Sequence, residues 1–444
     1  MRISISSSFA LSLLACGVFP PTCFVVGREQ EVGHIWDEGA PLGLGAEGLG
    51  RELGGERVSG TDGDGGSGGS GGVGGSKEEL ERLWGFEWSF SGISTFAHLE
   101  YKKCLTTPEE LFDIGILGVP FDTAVSYRPG ARFGPKAIRA ASARQTSFRG
   151  YIMELISQSV NTRAGINPYT SFARILDCGD IPVTPLNNAI ALEQMTAAYT
   201  ELLNRKPLSS SLTHPKIISL GGDHSLALAA LRALQKVYNQ PIAVLHFDAH
   251  LDTWHPAKYP DPWASEQAQF NHGSMFWLAS NEGLILNGSS VHAGLRTRLS
   301  DDDYADYEDD DRQGFLRISA DDIDDLRPQG VIEKILQRIG TEVPVYLSID
   351  IDVLDPGVAP GTGTPEPGGW TMRELIRILR GIECLNVVGA DVVEVSPSYD
   401  GVGEETALSG AQVVFEMLTS VIKRGLRDMG KVAEVKERRK RDEL

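Results

Sequence analysis

Short apolar runs alternate with amphipathic stretches from about Lys77 to about Arg427. Runs of strand length are Ile114 to Val119, Lys216 to Leu220, Ile242 to Phe247, Val291 to Leu295, Val345 to Ile351 and Val387 to Val395, most of them rich in Val and Ile. Unbroken apolarity, as opposed to strict in/out alternation, is the pattern of strands covered on both faces. Between several of them lie helical patterns such as Ser225 to Tyr238 and Met372 to Ile382. This alternation predicts an α/β fold with three α-β-α layers around a mostly parallel central sheet. Ligand chemistry in such sheets gathers at the carboxyl ends of the strands.

The flanks read differently. Met1-Arg2, the apolar stretch Phe9 to Cys16 and the Phe19-Pro20-Pro21 break have the layout of a secretory signal over residues 1–27. A lipoprotein signal at Cys16 or a merely apolar terminus are the alternatives. Residues 28–76 are Gly-rich and close on repeated Gly-Gly-Ser units, a composition that buries too little apolar surface to offset its ordering entropy. A flexible linker is therefore expected there, followed by a catalytic domain over 77–428 and a charged tail over 429–444.

The chain has 41 basic and 60 acidic side chains, a net charge of −19. That excess excludes a general nucleic-acid binder, which needs a basic face. Apart from the leader, no apolar run approaches the ~20 residues of a membrane helix. With the leader removed, Cys104, Cys178 and Cys384 remain, an odd and sparse set that predicts no disulfide framework and lacks a Cys-x-x-Cys metal spacing.

Four strand ends carry polar residues that a buried strand does not need. Gly221-Gly222-Asp223-His224-Ser225 follows one run, where the glycines suit a tight turn presenting His224. Asp248-Ala249-His250-Leu251-Asp252 follows another, and a period of two would put Asp248, His250 and Asp252 on one face. Asp350 and Asp352 share a face in the same way within Ser348 to Asp352, and Glu394 stands inside the β-branched run Val392 to Val395. Crowded carboxylates and imidazoles repel and desolvate one another unless cations neutralise them. Two histidines and four aspartates form an oxygen-dominated set, which suits Mn²⁺ better than structural zinc. They exceed the ligands of one open catalytic ion, so two Mn²⁺ ions are expected, and with them a dinuclear hydrolase. A dinuclear phosphoesterase shares this logic but lacks a phosphate cradle here.

Gly-Gly-Asp-His-Ser, Asp-Ala-His-Leu-Asp-Thr and Ser-Ile-Asp-Ile-Asp-Val-Leu-Asp-Pro, in that order, resemble the ureohydrolase family of arginases, agmatinases, guanidinobutyrases and formiminoglutamases, over Gly115 to Leu426. Tyr127 to Pro135, Asn271 to Phe276, Ala359 to Pro365 and Asp391 to Val395 are similar to its agmatinase branch. Thr253 and Trp254 follow Asp252, where arginases carry an Asn that helps bind the substrate α-carboxylate. The resemblance implies one ion held by His224, Asp248, Asp252 and Asp350, and another held by Asp248, His250, Asp350 and Asp352. It further implies water attack on a guanidinium carbon, proton relay through Asp252, a guanidinium held by Glu394 and a proton-shuttling His272, with His255 as a less favoured substitute. The implied substrate is a small cationic guanidino compound, agmatine ahead of guanidinobutyrate, and the implied assembly is a homo-trimer or hexamer. An inactive ureohydrolase-like binding protein is the reading from a different class.

Two departures concern the surroundings. The loop His255 to Trp263 is long and aromatic and is expected to border the substrate mouth, whereas the acidic run Asp301 to Asp311 is expected to be a solvated surface loop. The terminal Arg441-Asp442-Glu443-Leu444 is similar to an ER-retention signal, and Asn287-Gly288-Ser289 is a glycosylation sequon. With the leader, these point to the secretory pathway, the ER lumen ahead of secretion; cytoplasmic or mitochondrial residence is the alternative.

Overall fold

The apolar runs form one eight-stranded sheet in which all pairings are parallel. The computed structural model describes residues 88–145, 160–259, 266–300 and 302–430. The expected leader, the Gly-rich segment, the first part of the expected domain (77–87) and the tail beyond Gly430 lie outside the described residues.

The strands are β1 (Ile114–Val119), β2 (Ile175–Asp180), β3 (Lys216–Gly221), β4 (Ala243–Phe247), β5 (Ser290–Leu295), β6 (Phe315–Ser319), β7 (Pro344–Asp350) and β8 (Asn386–Val393). Their order across the sheet is β2-β1-β3-β8-β7-β4-β5-β6. β2 and β6 went unread in the sequence because Asp177, Gly179 and Asp180 interrupt the one and Arg317 the other.

Period-two burial divides the core into two apolar layers. Val345, Leu347 and Ile349 of β7 join one, against helices α1 (Gly134–Ala141), α6 (Asp322–Ile339), α7 (Met372–Gly381) and α8 (Glu405–Asp428). Tyr346 joins the other, against α2 (Asn188–Leu203), α3 (Leu226–Tyr238) and α4 (Met275–Asn281). Each layer hides a full apolar face, which is why both sides of the strands read as hydrophobic. No helix among the described residues is long and apolar enough to cross a membrane.

Two expectations are corrected. The acidic run is not a solvated loop: residues Ala305–Gln313 form helix α5, and Asp306 and Asp310 on it are buried. Partners supplied by other elements make that possible, since Asp306 accepts from the Ser300 amide and hydroxyl, and Asp310 from Thr253 and Arg317. Cys104 and Cys178 form a disulfide, and among the described residues Cys384 is the remaining, free cysteine. Counting cysteines could not reveal that β2 lies beside the turn that carries Cys104.

The topology locates the site. β3 and β4 are consecutive in the chain yet separated in the sheet by β8 and β7. Their connection crosses the sheet, and such a crossing opens a crevice at the carboxyl edge.

Candidate active site

All four central strands end in that crevice. Beyond β3, a Cβ added to Gly222 would lie 2.2 Å from the Phe121 carbonyl oxygen and 2.5 Å from that of Val119, so close backbone approach demands the glycine. His224 follows, fully buried. Its Nε2 is 2.7 Å from Ser348 Oγ, and that hydroxyl donates to Asp391 Oδ1 at 2.8 Å. The serine therefore accepts from Nε2–H, which leaves the Nδ1 lone pair exposed to what faces it. Facing it are carboxylate oxygens of Asp248, Asp252 and Asp350 at 3.2, 3.1 and 3.3 Å. Nδ1 has no hydrogen-bond partner among the described residues.

Strand geometry is not what brings the second motif together. β4 stops at Phe247, and Asp252 adopts a positive φ of 55° that turns its carboxylate back toward His224. Asp352 likewise lies in a short 3-10 turn (Ile351–Val353), its amide donating to Asp350 Oδ1 at 2.8 Å. His250 Nδ1 is 3.1 Å from both Asp248 Oδ1 and Asp352 Oδ2. The six expected metal-ligating side chains thus converge, through turns in place of the pleat.

Their charges are unbalanced. Among the described residues, none of the four aspartates is ion-paired to Lys or Arg. Burial, then Asp352 and Asp248, drives the Asp350 pKa well above the carboxylate range; burial and Asp248 raise Asp352 and push Asp252 up to about 6. Burial opposes charge on Asp248, His224 and His250, but neighbours win. His246, then His224 and His250, hold Asp248 well below its ordinary value, Asp248, Asp252 and Asp350 hold His224 well above its own, and Asp352 with Asp248 does the same for His250. Without an ion, His224 Nδ1 therefore carries a proton that a cation would displace. A lone pair aimed at three carboxylates and a surplus of buried negative charge are the donor set of divalent cations, so the residues present fit a metal pair.

Glu394 sits just past β8 with φ 60°. Its Oε1 accepts from the His224 amide at 2.9 Å and lies 3.1 Å from His272 Nδ1, while Oε2 has no hydrogen-bond partner among the described residues. His272 Nε2 accepts from the Ser126 amide at 3.0 Å and is 2.7 Å from the Ser126 hydroxyl, so the ring carries its proton on Nδ1 and donates to Glu394. Asp252 and Glu394 hold non-glycine residues in the left-handed region, a strain that tends to collect at functional sites. A cavity of about 170 Å³ opens over this centre, its lining including His250, Asp252 and Asp350 of the cluster together with Ser126, Trp254 and Tyr259. His272 also lines it, with Glu394 against its Nδ1. Of the aromatic loop, Tyr259 lines the cavity, while the Pro260 to Trp263 portion lies outside the described residues. His255 turns away and packs on Trp277, with ring centroids 4.5 Å apart.

Sequence reasoning passed over His246, Ser348 and Asp391. His246 approaches Asp248, but both its nitrogens are engaged, Nε2 with Asp248 Oδ2 at 2.8 Å and Nδ1 with His292 Nδ1 at 2.7 Å, so it stands behind the cluster and not in it. Burial lowers its pKa to about 3. Its position two residues before Asp248 on one strand face was the available signal.

A parallel three-layer α/β fold with a buried His/Asp centre at the carboxyl edge of its central strands defines a hydrolase of the dinuclear metal type. The chain belongs to the arginase family, whose model matches residues 112–419. It is 48% identical over 356 residues to a Schizosaccharomyces pombe protein provisionally named agmatinase 3, covering 78% of this chain and 84% of the relative. It is 36% identical to the agmatinase of Chromobacterium violaceum over 330 residues, 74% of this chain and 89% of that one. Among solved structures it is similar to proclavaminate amidino hydrolase from Streptomyces clavuligerus, with 34% identity, a TM-score of 0.64 and coverage of 76% and 100% of the two chains. The protein is an agmatinase-like ureohydrolase, an enzyme acting on guanidino C–N bonds.

Proposed function

We propose that the protein hydrolyses agmatine to putrescine and urea with two Mn²⁺ ions. One observation carries the metal part: the His224 Nδ1 lone pair facing three carboxylates. His224, Asp248, Asp252 and Asp350 hold one ion; Asp248, His250, Asp350 and Asp352 hold the other. Bound there, the ions supply Lewis-acid charge that acidifies water at neutral pH.

The chain's own groups do the rest. Asp252, on the cavity wall, takes a proton from the attacking water on its carboxylate and passes it to the leaving amine. Glu394 Oε2 is the carboxylate oxygen left for the guanidinium, as a charge-assisted hydrogen bond. His272 is oriented by Glu394 on one side and Ser126 on the other, so protons reach its Nε2 by way of the Ser126 hydroxyl.

Agmatine is favoured because Trp254, on the cavity wall, stands two residues after Asp252, where arginases carry the Asn that helps bind an α-carboxylate. Guanidinobutyrate or a related guanidino acid is the second reading, supported by the likeness to an amidino hydrolase of proclavaminate. Urea release from agmatine, 4-guanidinobutyrate, 3-guanidinopropionate and arginine by Mn²⁺-loaded protein decides. Agmatine is expected to lead; arginine turning over fastest overturns the branch, and no urea from any substrate favours an inactive binding protein. His272→Ala is expected to abolish activity and His255→Ala to spare it, and the reverse pattern removes His272 from the mechanism. A homo-trimer or hexamer is expected in light scattering, and a monomer contradicts it.

We further propose a secretory-pathway protein held in the ER lumen. The Cys104–Cys178 disulfide supports an oxidising compartment, and Asn287 is exposed at its sequon. Deleting Arg441 to Leu444 from internally tagged protein is expected to release it to the medium; an unchanged cytosolic signal in both forms refutes the idea.

A further inference from the structure

A line of hydrogen bonds leaves the metal centre away from the cavity. Asp248 Oδ2 lies 2.8 Å from His246 Nε2, His246 Nδ1 lies 2.7 Å from His292 Nδ1, and His292 Nε2 lies 3.0 Å from Asp310 Oδ1. All four side chains are fully buried. The strands build this line: His246 of β4 pairs in register with His292 of β5, and His292 with Arg317 of β6. Arg317 Nη1 then donates to Asp310 Oδ2 at 2.6 Å, which anchors the outer end. Phe315 stacks on the His292 ring with centroids 4.0 Å apart, and Phe276 packs edge-on to His246 at 4.9 Å, so neither ring is free to turn.

We infer that Asp310, on the acidic helix α5, is a positioning residue for the metal centre, acting through His292 and His246 to fix the orientation of Asp248. Each imidazole commits its Nε2–H to a carboxylate, so the two rings can meet only through Nδ1, a hydrogen bond that requires one of the two rings to carry both protons, and each link sets the geometry of the next. Asp248 faces both His224 and His250, which makes it the carboxylate whose rotation would disturb both halves of the cluster at once. The acidic run thereby has a use that surface solvation does not give it. The inference rests on the reading that Asp248 holds metal.

The test is calorimetric titration of metal-free full-length protein with Mn²⁺, for wild type, Asp310→Asn, His292→Phe, the double variant and Arg312→Ala. Arg312 is exposed on the same helix and paired with Asp309, outside the line. Each single variant in the line is expected to weaken Mn²⁺ binding about 10- to 100-fold, the double variant no more than the weaker-binding single, and Arg312→Ala by less than about twofold. Steady-state kinetics on loaded protein are expected to show kcat falling with KM little changed. Wild-type affinity in Asp310→Asn and His292→Phe, or losses that multiply in the double variant, overturns the inference while leaving the metal reading intact; absence of Mn²⁺ binding by wild type overturns both. If His292→Phe loses its near-UV circular dichroism, Asp310→Asn decides alone: weakened Mn²⁺ binding supports the inference and wild-type affinity overturns it.

Discussion

Two buried acidic sites on the same sheet are built on opposite principles. Within β2, Asp177 is saturated: Arg139 Nε and Nη2 reach it at 2.8 and 3.0 Å, and the Phe96 and Gly179 amides at 2.8 and 3.0 Å. Every lone pair is matched and the charge is neutralised by the chain itself. At the ends of β4 and β7, four aspartates crowd around two imidazoles with no Lys or Arg paired to them among the described residues. The first cluster stabilises the fold. The second is left incomplete, and completing it from outside is what gives it chemistry.

The difference is sharpest at Asp350, whose carboxyl is pushed well above its ordinary range by burial and by Asp352 and Asp248. Asp350→Asn is expected to cut kcat by about 10²-fold or more while raising the melting temperature of the metal-free protein, because a repelling charge is gone. Paired urea-release and thermal-unfolding measurements check both signs, and a fall in metal-free stability would place Asp350 in the self-sufficient class. Arg139→Met is the mirror case. It is expected to cost about 3–5 kcal/mol of stability by leaving Asp177 buried and unpaired, with Mn²⁺ affinity unchanged, as read by denaturant unfolding and calorimetry.

A milder contrast tests burial of a single charge far from either cluster. Lys216 opens β3 fully buried, its ammonium donating to the Val387 carbonyl at 2.5 Å, and burial lowers its pKa to about 8. Between pH 8 and 10.5 the unfolded chain binds the extra proton, so wild-type stability is expected to rise with pH through that window. Lys216→Met is therefore expected to stabilise the protein by about 2 kcal/mol at pH 7, the gain fading toward pH 10, as denaturant midpoints would report. The smallest effect is expected at the mouth. A methyl on Gly273 would meet the Tyr259 hydroxyl at 1.8 Å, so Gly273→Ala is expected to displace that ring and raise KM a few-fold, at a stability cost within about 1 kcal/mol.

Much of this comparison was legible in the sequence on one side only. The apolar runs gave the parallel layered architecture, and the His/Asp motifs gave the incomplete cluster, because chemistry at strand ends leaves polar residues in apolar surroundings. The self-sufficient cluster was invisible, since Asp177 and Asp180 interrupt the pattern of β2 and their partner Arg139 comes from α1. Asp310 was misread for the same reason: an acidic run looks solvated until His292, Thr253 and Arg317 are seen to converge on it. Asp252 and Asp352 were assigned to the right cluster through the wrong geometry, because a positive φ and a 3-10 turn carry no two-residue period.

The central claim is that the second cluster is completed by a pair of divalent ions. Metal analysis of active, extensively dialysed protein addresses it directly, with the same preparation of Asp350→Asn beside it. The account predicts two divalent ions per wild-type chain, loss of urea release when they are chelated and recovery when Mn²⁺ is returned, with the variant retaining fewer ions. Full urea release from wild-type chains that hold no divalent ion would contradict it.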